Sequence, residues 1–219
     1  MGEARLTARR RAHCLGAAVL IVELLRYYLT MLRNAWRSFR VGMSKGLPKF
    51  KYFPDPVAAG VIVQSDTECA CCGKARGYVY TGTVYADEDY EHCICPWCIA
   101  GGSAHAKLGA TFFDEGAVGG HGAWDEVPER VVAEIAERTP EFTSWQSPQW
   151  WTHCGDAAQF LGAVGRKELD ALGPEAVAGI KASSELDGSV WEDAYPDLDK
   201  DGSPTAYLFR CSKCGKFGG

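Results

Sequence analysis

The sequence predicts an α+β fold, in which a cysteine-bearing hairpin packs with a small helical region to form one compact domain. Two copies of the pattern Cys-x-x-Cys-Gly-Lys, at Cys69–Lys74 and Cys211–Lys216, and a third pair, Cys95-Pro-Trp-Cys98, mark the hairpin region and the end of the chain. Strand-forming residues follow the first pair, and helical periodicity begins near residue 128. With 219 residues, of which 47% are hydrophobic, the chain can bury a substantial core.

The first two cysteine pairs predict a metal site. Two thiolates three residues apart on a tight turn bind one tetrahedral Zn²⁺ together with a second such pair, so Cys69, Cys72, Cys95 and Cys98 are the expected ligands of a zinc-ribbon-like hairpin. The strand formers of residues 78–85 and the polar turn of 86–91 support a hairpin between the two pairs. Spare thiols at positions 71 and 93 leave the choice of ligands open.

Two other uses of these cysteines compete with zinc. Disulfides suit ten cysteines in a secreted protein, but the two-residue gap is poor for a structural bridge and no cleavable signal is evident. The segment Cys95-Pro-Trp-Cys98 is also typical of a glutaredoxin-type redox site. That fold needs a βαβ unit around the motif, whereas here the motif is expected to follow a hairpin.

A second zinc site is predicted around Cys211 and Cys214, which need two further ligands. The candidates are His153, Cys154, Cys93, Cys71, His92 and two more histidines. His153 and Cys154 are adjacent, and in an extended segment they point to opposite sides, so only one is expected to ligate. Cys154 is the expected ligand. The alternative is that Cys154 is a buried free cysteine beside a core histidine, a common place for free cysteine.

The remaining helices and strands are predicted from hydrophobic periodicity and from the positions of proline and glycine. Residues 57–63 predict a short apolar strand, and Pro128 begins a helix that ends at Thr139-Pro140. An apolar helix is expected from Gly155-Asp156 through Leu161. Further helical turns are expected at 167–172 and 174–182, and a final strand at 205–210 leads into the last cysteine repeat.

The chain is predicted to consist of a basic extension, residues 1–42, and an acidic domain, residues 43–219. Residues 1–45 hold nine Lys/Arg and two Asp/Glu, and the remainder holds 14 basic and 26 acidic residues. An acidic body is a poor match for the phosphate backbone of nucleic acid, so no nucleic-acid partner is expected. A basic protein partner fits the charge better.

Residues 1–42 read as a basic amphipathic extension. The apolar run there is too short and too charged to span a bilayer, and no cleavage site follows it. Such a helix can lie on an anionic membrane surface, so a membrane contact is expected only if the extension belongs to the natural protein. The alternative is that the extension is upstream translation and that Met43 is the true first residue.

An enzymatic reading uses the region around Cys154. His153, Cys154 and Asp156 supply a thiol, a base and an acid, the groups of a thiol-dependent enzyme, and an open zinc site would also support catalysis. Sequence neighbours rarely reach the required geometry, because the fold usually brings catalytic partners together from distant segments. No catalytic residue is therefore assigned.

From Leu47 onward the sequence resembles the CbrC family of bacterial proteins. The matching stretches are Leu47–Pro56, Cys69–Tyr80, Cys95–Ala104, Trp150-Trp151, Cys154–Gly162, Asp199–Cys211 and Cys214-Gly215. The resemblance implies an association with tolerance of colicin E2, a nuclease toxin. Together with the charge, it leads us to expect a zinc-stabilised cytoplasmic binding protein that confers bacteriocin tolerance or immunity by binding a basic partner such as a nuclease toxin.

Overall fold

The first cysteine repeat lies in the turn of a β-hairpin. Strand β1 (Ile62–Glu68) pairs antiparallel with strand β2 (Ala75–Tyr80), and the repeat connects them. The structure is a computed structural model that describes residues 46–184, 186 and 188–219. The predicted basic extension, residues 1–42, lies outside these residues.

The hairpin differs from the predicted one. The sequence predicted a hairpin between the two cysteine pairs, with strand formers at residues 78–85 and a polar turn at 86–91, whereas β2 pairs with the strand that precedes the first pair. Tyr80 forms an isolated bridge with Ile94, and Tyr85 forms one with Thr111. The preceding strand was predicted five residues too early, because most of its residues, Gln64 to Glu68, are polar and carry little hydrophobic signal.

Three helices follow the hairpin. Helix α1 (Pro96–Ala100) begins with proline at its first position, where the missing N–H costs no hydrogen bond. Helix α2 (Ser103–Leu108) comes next, and helix α3 (Glu129–Arg138) ends before Thr139-Pro140, as predicted. Pro128 is the residue before α3, and Val131 and Ile135 are on its buried face.

Short strands occupy the segment from Gly155-Asp156 through Leu161, where a helix was predicted. Strand β3 (Thr152–His153) pairs with β4 (Asp156–Ala157) through a tight turn, and β5 (Gln159–Val164) follows directly. A short apolar run does not distinguish a strand from a helix by periodicity. Pairing of β5 with the last long strand decided the outcome here.

A helical region and the final strands complete the domain. Two of its helices were predicted, and the last strands carry the second cysteine repeat between them. The elements are α4 (Arg166–Leu172), α5 (Pro174–Ser183), α6 (Gly188–Ala194), β6 (Ala206–Arg210) and β7 (Phe217–Gly218).

The sheet β5-β6-β7 separates two hydrophobic clusters. Neighbouring side chains of β6 point to opposite faces, so Phe209 packs into the main core and Leu208 packs against the helical region. Phe142 lies near the centre of the aromatic part of the main core and stacks on Phe160 with ring centroids 4.1 Å apart. The two clusters and three small antiparallel sheets form one mixed α/β domain, in agreement with the predicted α+β class.

Among the described residues, no helix combines the length and apolar character needed to cross a membrane.

Candidate metal centres

Four cysteine side chains converge beside the first hairpin and form what we call the first cluster. Cys69 and Cys72 come from the β1–β2 turn, and Cys95 and Cys98 come from the start of α1. Their sulfur atoms all lie within 4.8 Å of one another. These are the four residues that the spacing singled out, and the structure brings them together.

The turn of the first repeat is held by backbone hydrogen bonds. The Cys69 N–H donates to the Lys74 carbonyl at 3.1 Å, and the Gly73 N–H donates to the Cys69 carbonyl at 2.7 Å. Gly73 has φ +64°, a left-handed conformation that favours glycine. The Cys95 N–H donates to the Cys69 sulfur at 3.2 Å, so backbone dipoles point at the thiolate.

The sulfur geometry fits a tetrahedral metal ion. Two sulfurs that each lie about 2.3 Å from a tetrahedral zinc are about 3.8 Å apart. Cys72 and Cys95 have their sulfurs 4.0 Å apart. Three members of the cluster, Cys69, Cys95 and Cys98, are buried, so a metal ion held there would be shielded from solvent.

Ionisation of the first cluster also suits a cation. The pKa of Cys69 is lowered to about 4, chiefly because the Cys95 thiol donates a hydrogen bond to it. The pKa of Cys95 is raised by that same hydrogen bond and by burial. The lowered pKa favours the thiolate form of Cys69, which is the form that binds a metal ion.

Two nearby thiols, Cys71 and Cys93, have partners outside the first cluster. The Cys71 thiol lies 3.6 Å from the Ser103 hydroxyl, and the Cys93 thiol donates to the Tyr90 carbonyl at 3.1 Å. Neither belongs to the convergent group of four. The sequence left open which of the six cysteines bind the metal. Contacts with α2 and with the loop before α1 hold Cys71 and Cys93 outside the group of four.

A second cluster forms around the second repeat. His153, Cys154, Cys211 and Cys214 each offer one ligand atom, and these atoms lie within 4.8 Å of one another. The turn repeats the first one: the Cys211 N–H donates to the Lys216 carbonyl at 2.8 Å, and the Gly215 N–H donates to the Cys211 carbonyl at 2.9 Å. Two copies of one hexapeptide pattern therefore fold into the same turn.

Both His153 and Cys154 face the second cluster, contrary to the expectation that only one would. The alternation argument assumed an extended segment, but Cys154 and Gly155 form the turn between β3 and β4, with φ of +58° and +63°. Two positive φ values are typical of a type I′ turn. The His153 Nδ1 lies 3.2 Å from the Cys154 sulfur and 3.4 Å from the Cys214 sulfur.

Three contacts hold this turn in place. The Lys213 ammonium donates to the Cys154 carbonyl at 2.8 Å, and the Gly155 N–H donates to the Asp125 carboxylate at 3.3 Å. The His153 ring stacks on Trp151 with centroids 5.2 Å apart. A left-handed conformation is costly for a residue other than glycine, and these contacts offset that cost at Cys154.

The second cluster is more exposed than the first. Cys154 and Cys214 are exposed, whereas Cys211 is buried. His153 and Cys214 also line a groove of about 940 Å³, together with Trp124, Trp151 and Phe217. A metal ion bound here would therefore lie beside an open, partly aromatic groove.

Asp156, the acid expected in a thiol-dependent enzyme, contacts residues other than His153. Asp156 accepts a 2.6 Å hydrogen bond from the Tyr52 hydroxyl and pairs with Lys51 at 3.5 Å. Burial alone would raise the pKa of Asp156, but the Tyr52 hydrogen bond and the Lys51 charge outweigh it and lower the pKa. The carboxylate therefore anchors the hairpin to Tyr52, and His153 is oriented by stacking on Trp151.

Comparisons with known proteins identify close relatives. A UPF0167 protein of Mycobacterium bovis is 46% identical over 177 residues, which cover 77% of this chain and 89% of the relative. A UPF0167 protein of Mycobacterium tuberculosis has the same identity and coverage. A UPF0167 protein of Pseudomonas aeruginosa is 42% identical over 175 residues, covering 80% of this chain and 96% of the relative. No solved structure matches.

The family model that matches residues 47–218 is described as an uncharacterised protein family, UPF0167. This finding corrects the resemblance to CbrC, which was wrong: both the family model and the relatives carry the UPF0167 name. The expected tolerance of colicin E2 and the nuclease-toxin partner rested on that resemblance and lose their support with it. The chain belongs to the UPF0167 family.

Proposed function

We propose that the protein is a zinc-stabilised binding module with two structural zinc sites, which acts in the cytoplasm on a positively charged protein partner. The observation that carries the proposal is the pair of clusters, each with four protein ligands. Zinc sites with four protein ligands are structural, whereas catalytic sites keep a position open for water.

Zinc fits the donor sets better than oxygen-preferring metals do. Four thiolates, or three thiolates and one imidazole, are the usual ligands of structural Zn²⁺, and oxygen-preferring ions such as Mg²⁺ and Ca²⁺ avoid them. Nine cysteines in the described part of the chain are unpaired. Free thiols at this density support a reducing compartment such as the cytoplasm.

The charge of the domain supports a basic partner. Outside residues 1–45 the chain has 26 acidic and 14 basic residues. Thiolate ligands add to this excess, because four thiolates around one Zn²⁺ leave a net charge of about −2. The loop before α1 concentrates the charge at the surface, where Asp87, Glu88, Asp89 and Glu91 are all exposed. Complementary potential of this kind speeds association with a positively charged protein.

The enzyme alternative is less well supported. A thiol enzyme needs a base held by an orienting acid, whereas Asp156 accepts side-chain hydrogen bonds from Tyr52 and Lys51. A zinc enzyme needs an open coordination position, and both clusters offer four ligands.

Metal analysis of the purified full chain tests the zinc sites. Native mass spectrometry and elemental analysis are expected to show two zinc ions per chain. Cys98→Ser is expected to reduce the content at the first cluster and Cys214→Ser at the second, because each change removes one thiolate ligand. Cys93→Ser is the matched control and should keep both ions, since its thiol lies outside the clusters. A metal-free but fully ordered wild-type chain would refute the proposal.

Titration with a lysine-rich peptide tests the charge of the partner. Binding is expected at low salt, and it should weaken as salt rises because the attraction is electrostatic. A glutamate-rich peptide of equal length is the control. Replacing the four carboxylates of the loop before α1 by their amides should weaken binding without changing the zinc content. Equal binding of both peptides, or no dependence on salt, would count against a basic partner.

A further inference from the structure

We propose that Cys154 and Cys214 form an oxidation site: a hydroperoxide converts this pair to a disulfide and releases the metal of the second cluster, while the first cluster keeps its metal. The inference rests on the proposed zinc occupancy of the second cluster. It assigns a reversible modification to one of two centres that share a sequence pattern.

Accessibility separates the two clusters. Cys154 and Cys214 are exposed, whereas Cys69, Cys95 and Cys98 have at most 4% of their surface exposed. Oxidation of cysteine follows thiolate character and solvent access. Cys72 is partly exposed, so the first cluster has no fully exposed cysteine and the second has two. With zinc bound, the cysteine ligands of both clusters are thiolates, and solvent access then separates them.

Position favours the exposed pair. The sulfurs of Cys154 and Cys214 are within 4.8 Å of each other, so each is close enough to react with an oxidised partner after a small side-chain movement. Lys213 donates to the Cys154 carbonyl, which holds the turn that carries this sulfur against the last cysteine repeat. The third thiol, Cys211, is buried at 2% exposure and is less accessible to the oxidant.

The chemistry balances with a hydroperoxide as the oxidant. One thiolate attacks a peroxide oxygen, the O–O bond breaks, and a sulfenic acid and hydroxide are formed. The second thiolate attacks the sulfenic sulfur, the S–O bond breaks, and hydroxide leaves. The two sulfurs lose two electrons in total, hydrogen peroxide becomes two waters after uptake of two protons, and Zn²⁺ leaves with its oxidation state unchanged.

The product keeps the two segments joined. The disulfide links the β3–β4 turn to the last cysteine repeat, which are the segments that the metal links in the reduced protein. The fold around the second cluster is therefore expected to survive oxidation, which makes the reaction reversible by a thiol reductant. Release of the metal frees His153, a residue that lines the groove, so the groove changes its chemistry without unfolding.

Zinc release from the full chain by hydrogen peroxide tests the inference. A chromogenic chelator follows the released ion, and peptide mass spectrometry identifies the linked cysteines. The expected result is release of one of two zinc ions, a Cys154–Cys214 linked peptide, and recovery of two-zinc protein after reduction with added zinc. The control Cys93→Ser should behave as wild type. Cys154→His keeps a metal donor but cannot form the disulfide, so it should retain its zinc longer.

The zinc content before and after oxidation separates failure of this inference from failure of the proposed function. A chain that contains only one zinc before peroxide is added refutes the proposed occupancy of the second cluster and this inference with it. Two zinc ions before oxidation, followed by release of both together or of neither, overturns the inference and leaves the proposed function intact. A disulfide between Cys211 and Cys214 in place of the expected one also overturns the assigned pair.

Discussion

Replacing Tyr52 by phenylalanine tests how the hairpin of the second cluster is anchored. The Tyr52 side chain is 1% exposed, and its hydroxyl donates to Asp156 at 2.6 Å. Hydrogen bonds to charged groups contribute about 1.5–3 kcal/mol to stability. The Asp156 side chain is 16% exposed and also pairs with Lys51, so some of the loss is recovered. We therefore expect Tyr52→Phe to lower the free energy of unfolding by about 2 kcal/mol.

Urea unfolding of the zinc-saturated protein at neutral pH measures this loss. A double-mutant cycle with Asp156→Ala isolates the pair, and its coupling energy should be about 1–2 kcal/mol. Tyr90→Phe is the matched control, because that hydroxyl donates to Glu88 at 2.9 Å in an exposed loop. The control should cost less than about 0.5 kcal/mol. Equal effects of the two phenylalanine variants, or additive effects in the cycle, would refute the anchoring role.

Three further predictions use unfolding or pH titration. Gly179→Ala should destabilise by about 1–2 kcal/mol despite the better helix propensity of alanine, because a new Cβ would collide with the Phe217 carbonyl, whereas Gly188→Ala, in open space, should be nearly neutral. Phe142→Ala should cost about 3–5 kcal/mol in urea, since a buried aromatic ring at the centre of several ring contacts is lost. Burial raises the pKa of Glu141, so the folded protein binds that proton more tightly than the unfolded chain. Its stability contribution is greatest below the unfolded pKa of about 4.3 and is lost as pH rises through the raised folded value. Glu141→Gln should therefore stabilise the protein at neutral pH, and an unchanged stability–pH curve would contradict this.

The sequence predicted the first cluster well because its information is local. Cys-x-x-Cys spacing fixes two ligands on one turn, and two such pairs are enough to define a tetrahedral set. The hairpin partner was predicted incorrectly, because β1 is mostly polar and its pairing depends on the turn at Gly73. A turn of that kind can be recognised from glycine after the second cysteine, but the strand that enters it cannot.

The second cluster shows the limit of the same reasoning. Cys154 was identified as a ligand candidate and His153 was set aside, because an extended backbone was assumed. The Cys-Gly dipeptide at 154–155 was the available signal, since a residue followed by glycine often forms a two-residue hairpin turn with positive φ. That signal was missed because a helix was predicted from Gly155-Asp156 through Leu161. The pairing of β5 with β6, which lies more than forty residues away, is not encoded in any local pattern.

The second cluster joins residues 61 positions apart, His153 and Cys214, and all three helices of the helical region lie between them. By the chain-entropy model for covalent cross-links, closing a loop of this length stabilises the folded state by about 4 kcal/mol. A protease that cuts at Leu186, which is exposed, would then leave two fragments that still migrate as one particle. With zinc bound at the second cluster, the two fragments would separate only after denaturation. A chelator that removes this zinc would weaken their association.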